Sequence, residues 1–168
     1  MKKSQLYFLI GLPASGKTTW AKHFLSQNEN FVYLSTDDII QDIADKEGIT
    51  YNEAFENTEF KEVQKEFNSR LLSAIKTGDN ILWDQTNLVK SSREKKLKKF
   101  YNKNYIKTAI LFDIPESKRS EYSNERKRKT GKHISHDVIS QMKETMEINE
   151  LESEFDYVIR YEGNYGNL

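Results

Sequence analysis

The 168-residue chain carries 26 Lys and Arg against 26 Asp and Glu, so its formal net charge is zero and marks neither a nucleic-acid nor a membrane partner. Its length suits one domain with a sizeable core, expected over residues 1–162. The lack of cysteine excludes disulfides, thiolate metal sites and a cysteine nucleophile. No apolar stretch reads as a signal peptide or membrane span, so a cytoplasmic protein is expected.

The first element is the apolar run Leu6-Tyr7-Phe8-Leu9-Ile10, a strand over 5–10 buried on both faces. Gly11-Leu12-Pro13-Ala14-Ser15-Gly16-Lys17-Thr18 follows and fits the phosphate-loop pattern G-x-x-x-x-G-K-[ST] at every defined position. The glycines let successive backbone N–H groups converge on phosphate oxygens. Lys17 then reaches the outer phosphates, Thr18 ligates Mg²⁺ through its hydroxyl, and Thr19 completes the nucleotide-binding stretch. The loop opens a helix over 17–27, whose N-terminus adds partial positive charge toward the anion. Trp20 and Phe24 lie on one face of that helix.

A strand over 31–35 leads into Ser35-Thr36-Asp37-Asp38 and a helix over 37–46. In a parallel sheet the strand C-termini line the ligand crevice, so a carboxylate here can accept a hydroxyl proton. The competing reading makes Asp37 or Asp38 a helix cap. A long helix over 50–77 opens on the capping box Thr50-Tyr51-Asn52-Glu53 and ends at Gly78. Its apolar residues Phe55, Phe60, Val63, Phe67, Leu71 and Ile75 read as core.

The strand over 80–84 ends in Asp84, placed to assist Mg²⁺. Gln85 follows, where a motor ATPase carries a glutamate to activate water. A GTPase would need Asn-Lys-x-Asp, and Asn102-Lys103-Asn104-Tyr105 lacks the aspartate. Both the motor and the GTPase readings weaken on these departures, and an interaction module has no need of a carboxylate within reach of the γ-phosphate, so the kinase is favoured.

Helices over 90–101, 115–128 and 135–149 and strands over 106–112 and 156–161 complete an α/β alternation with a five-stranded parallel sheet. Residues 85–132 carry 15 Lys and Arg against five Asp and Glu, a local excess of +10, within which Lys95, Lys96, Lys98 and Lys99 form one run. Such a run is a solvated face or a track for a nucleic-acid backbone. Residues 163–168 are expected to fray. His23, His133 and His136 lack partners at metal-ligand spacing.

The Gly11–Trp20 loop, Asp37-Asp38, Asp84-Gln85-Thr86-Asn87-Leu88, Leu111-Phe112-Asp113-Ile114-Pro115 and His136-Asp137-Val138-Ile139 resemble the bacteriophage and bacterial polynucleotide 5′-hydroxyl kinase family. The resemblance implies a P-loop kinase fold with a small lid, here around 124–134. It implies ATP and Mg²⁺, Asp37 as general base, and a lid arginine approaching the transferred phosphoryl. Arg126 and Arg128 are the candidates, with Arg128 narrowly preferred. The sequence departs from the family after the Asp pair, where Ile39-Ile40-Gln41 supplies no arginine for substrate phosphate. The expected reaction is ATP-dependent transfer to the 5′-hydroxyl of DNA or RNA. The alternative acceptor is a nucleoside, sugar or sugar nucleotide. The sequence does not specify an oligomeric state.

Overall fold

A computed structural model describes residues 2–163. Five strands, β1 (Ser4–Ile10), β2 (Phe31–Ser35), β3 (Asn80–Asp84), β4 (Tyr105–Phe112) and β5 (Tyr157–Tyr161), form one parallel sheet in the order β2-β3-β1-β4-β5. The first strand in sequence is therefore central, with Leu6 opposite Ile81 on one side and Lys107 on the other. Burial on both faces explains why β1, β3 and β4 read as continuous apolar runs rather than alternating ones.

Alternation along β1 divides the core in two. Leu6, Phe8 and Ile10 face a cluster with Ile39, Phe67, Leu71, Trp83, Leu151 and Phe155. That side is covered by α2 (Thr36–Glu47), α3 (Tyr51–Asn57), α4 (Phe60–Thr77), α5 (Lys90–Leu97) with its 3₁₀ turn Lys98–Phe100, and α8 (Leu151–Glu154). Leu9 faces the other way, with Leu82, Ile110 and Phe112, against α1 (Lys17–Gln27). There Phe24 packs on Trp20, Tyr7 and Phe31, with ring centroids 4.9–5.2 Å apart. Helices α6 (Glu116–Thr130) and α7 (His136–Glu144) follow β4.

All five expected strands are present, and the parallel α/β fold holds. Three expectations need correction. The helix expected over 50–77 is two helices, because Thr58 and Glu59 take extended backbone angles between α3 and α4. The break turns Phe55 and Phe60 outward, so neither belongs to the core; Val63, Phe67 and Leu71 do, with Ile75 packed partly buried against them. The helix expected over 135–149 stops at Glu144, and the short α8 follows it. Of the tail expected to fray, residues 164–168 lie outside the described residues.

Candidate active site

Four sequence-distant pieces meet at the C-terminal ends of β1, β2 and β3, where an open parallel sheet places ligands. The loop after β1 is shaped for close backbone approach. Gly16 has φ 94° and Ala14, a residue with a side chain, has φ 59°. A Cβ on Gly11 would stand 2.8 Å from Ser15 Oγ and 3.0 Å from Phe112 Cβ, so only glycine fits there. The loop is braced from β3: Gly11 N–H donates to Thr86 O at 3.0 Å, and Asn87 Nδ2 donates to Leu9 O at 2.8 Å. Asn87, itself at φ 50°, is buried in this role.

Lys17 is buried and folds back, donating to Gly11 O at 2.9 Å and Leu12 O at 2.8 Å. Burial pulls its ammonium down to about 8; Asp84 and Asp37 oppose that fall, and Arg126 adds to it. A buried cation satisfied only by neutral carbonyls is a charge awaiting an anion. Ser15 Oγ is buried in the same loop without a hydrogen-bond partner. Both observations fit a bound polyphosphate.

Asp84 closes the floor. Its Oδ2 accepts from Thr18 Oγ1 at 3.1 Å and from the Tyr33 hydroxyl at 2.6 Å. Burial raises the Asp84 pKa, while Lys17, Tyr33 and Thr18 pull it back. Burial, and then Asp84, push the Tyr33 hydroxyl above the usual phenol range, so it stays a donor. The Thr18 hydroxyl and the Asp84 carboxylate are adjacent oxygen donors of the kind that would suit Mg²⁺. Among the described residues no group of three or more His, Cys, Asp or Glu could hold a metal alone.

The acceptor side is built on α2, α3 and the lid. Helix α2 is capped by Ser35, whose Oγ accepts from Asp38 N–H at 3.3 Å, so neither Asp37 nor Asp38 is the cap. Asp37 is free to act at the cleft. Its Oδ1 accepts from the Tyr51 hydroxyl at 3.0 Å, and Arg126 Nη2 lies 3.6 Å from its Oδ2. Lys132 Nζ sits 3.5 Å from the centre of the Tyr51 ring. Residues 124–134, expected as a lid, are the end of α6 and the turn beyond it, and they meet α3 through Lys132.

Arg126, not the preferred Arg128, is the arginine brought to Asp37. Residues two apart point to nearly opposite sides of a helix, so only one of the pair can face the cleft. Arg128 is exposed, and its influence falls on Glu125.

The basic run also needs revision. Lys96 is not part of a solvated face: its Nζ donates to Gln85 Oε1 at 2.9 Å and Asn87 Oδ1 at 2.6 Å. Burial, aided by Arg93, lowers its ammonium to about 8. Arg93 lies deeper still. Its guanidinium grips the Glu154 carboxylate through Nε at 2.9 Å and Nη2 at 2.8 Å, and donates to the carbonyls of Asn87, Leu88 and Glu147. Their side chains are 1% and 5% exposed. Arg93 shares a stripe with Val89, Leu97 and Phe100, a spacing that marks it as inward-facing despite its charged neighbours. Asn87 lies in a patch that the sequence singles out, though not for this bracing role, while Tyr33, Tyr51, Arg93 and Lys132 belong to no chemical motif that would mark their places.

Solved structures share the architecture. A chain of the Pnkp1/Rnl/Hen1 RNA repair complex superposes with a TM-score of 0.67 at 21% identity, over 93% of this chain and 47% of its own. A fungal RNA kinase gives 0.63 at 14% identity, over 95% and 38%. A gluconokinase from Sinorhizobium meliloti gives 0.52 at 13%, over 95% and 82%. The chain thus spans less than half the length of the two RNA-directed proteins it resembles. No curated protein matches it in sequence. No helix among the described residues is long and apolar enough to cross a membrane. The sequence model described as "AAA domain" matches residues 6–148, most of the chain, and on that match the protein belongs to the AAA domain family.

Proposed function

We propose that this protein is an ATP-dependent kinase that phosphorylates the 5′-hydroxyl of DNA or RNA. The observation that carries the reading is the placement of Asp37. It is a carboxylate at the end of β2, not spent as a cap and held by Tyr51, and its field reaches Lys17 in the phosphate loop. A nucleotide-dependent switch has no use for such a group, and a motor's water-activating glutamate would stand where this chain has Gln85.

MgATP, when bound, supplies the phosphoryl group and the divalent charge that spreads over it. Residues 11–19 offer backbone N–H groups and the Lys17 ammonium to the phosphates, and Thr18 and Asp84 hold the metal. Asp37 takes the proton from the acceptor hydroxyl as that oxygen attacks the γ-phosphorus, whose bond to the bridging oxygen breaks and releases ADP. Arg126 exchanges its 3.6 Å contact with Asp37 for the charge developing on the transferred group.

The 5′-hydroxyl acceptor is supported by the Asp84–Leu88 motif, by the basic lid, and by the fold shared with the RNA repair and RNA kinase chains. The gluconokinase fold keeps a small polyol acceptor as the second reading. Incubation with γ-labelled ATP, Mg²⁺ and a panel of 5′-hydroxyl oligonucleotides, nucleosides and sugar acids separates the two. Label on oligonucleotides, blocked by a pre-existing 5′-phosphate, is expected. Label on a small molecule alone overturns the nucleic-acid reading.

A further inference from the structure

Helix α3 gives the core one fully buried residue, Ala54, with Tyr51 packed partly buried against it, and the reciprocal Thr50–Glu53 capping box fixes its start. What it does present is aromatic. Tyr51 and Phe55, one turn apart on the same face, stack with ring centroids 6.2 Å apart and planes 19° from parallel. The inner ring is the one whose hydroxyl bonds Asp37 and which Lys132 covers. The outer ring, Phe55, is 62% exposed. The stack therefore begins at the proposed general base and ends in water.

We propose that Phe55, backed by Tyr51, is the platform on which a base at the 5′ end of the acceptor strand stacks. The inference rests on the nucleic-acid reading of the acceptor and sharpens it. A nucleobase offers a flat face to an exposed ring whatever its identity, so the platform grips any sequence. Lys132 and the basic end of α6 place cations beside it for the strand's phosphates. A polyol acceptor has no flat face to use it. The platform thus selects a strand end over a small hydroxyl compound while leaving Asp37 free for the proton.

The test pairs protein and substrate changes. Wild type, Phe55→Ala, Phe55→Trp and Phe60→Ala are assayed on 5′-hydroxyl oligonucleotides whose first or second nucleotide is normal or abasic. Affinity for the same strands is measured by fluorescence anisotropy without ATP. Phe55→Ala is expected to raise KM and weaken binding about tenfold, the effect of losing one base–aromatic stack. Phe55→Trp should restore both. The abasic strand should bind wild type and Phe55→Ala equally, and Phe60→Ala, an exposed phenylalanine outside the stack, should match wild type. Oligonucleotide phosphorylation that Phe55→Ala leaves unchanged, or a defect that persists equally on the abasic strands, overturns the platform alone. Phosphorylation confined to small molecules overturns the acceptor reading and the platform with it.

Discussion

The donor and acceptor sides of the cleft are held by opposite means. The phosphate loop is anchored to the centre of the sheet, and the β3–α5 loop bracing it is tied down by Asn87 and the buried Arg93–Glu154 pair. Asp37 and Arg126, by contrast, stand half-open on the ends of helices, joined by a 3.6 Å contact and a single tyrosine hydroxyl. The donor side is preorganised, as electrostatic stabilisation of a transferring group requires. On the proposed function the looser side would take the acceptor, and rigidity and looseness would be divided between the two substrates.

The sharpest way to break this contrast is Lys17→Ala. It removes the one buried ammonium facing the phosphates and is expected to lower kcat/KM about a thousandfold. Melting temperature should barely move, because its hydrogen bonds go to loop carbonyls that water can reach once the side chain is shortened. Arg93→Ala attacks the same side through its support. Leaving Glu154 buried and unpaired costs about 3–5 kcal/mol, which lowers the melting temperature by roughly 10 °C in calorimetry. On the acceptor side, Asp37→Asn should cost about a hundredfold in kcat with no loss of thermal stability, since Ser35 caps α2. A collapse in stability with activity per folded molecule intact would make Asp37 structural.

Lys17 also sets a pH limit. Nucleotide affinity by calorimetric titration should be level below pH 8 and then fall by up to tenfold per unit, as the free ammonium, held near 8, loses its proton. Lys17 itself contributes no loss of stability in this range. The Lys17 pKa is lower folded than unfolded, so between about 8 and 10.5 the unfolded chain binds more protons and this group favours folding as pH rises. The smallest effect is expected from neutralising Lys95, Lys98 and Lys99, with Lys96 spared for its buried role. KM for oligonucleotides should rise a few-fold, and the salt slope should flatten by about 0.7 for each strand phosphate that no longer meets a lysine.

The sequence carried the donor side well, because that chemistry resides in contiguous residues with strict demands: Gly11 for space, Gly16 for a positive φ, Lys17 for charge. The acceptor side was legible only as far as Asp37. Tyr51 and Lys132 are ordinary residues that matter through placement across 81 positions of chain. The break at Thr58–Glu59 carries neither proline nor glycine, so an apolar periodicity running through it concealed two helices and miscast Phe55 and Phe60. The choice between Arg126 and Arg128 turns on helical phase against α3, which tertiary packing sets.

The central position of β1 bears on how the molecule comes into being. Its hydrogen-bonded neighbours are β3 and β4, so β1, made before both, waits for residues near 81 and 107 before either edge is paired. Contacts this distant in sequence make loop closure the slow part of folding. The phosphate loop waits as well, because its bonds to Thr86 and Asn87 exist only after β3 has docked. Eight consecutive residues spell out the loop, yet a nascent chain that ends before Asn87 carries it without its bracing contacts. Nucleotide can therefore stabilise the finished domain by mass action but cannot template its early folding.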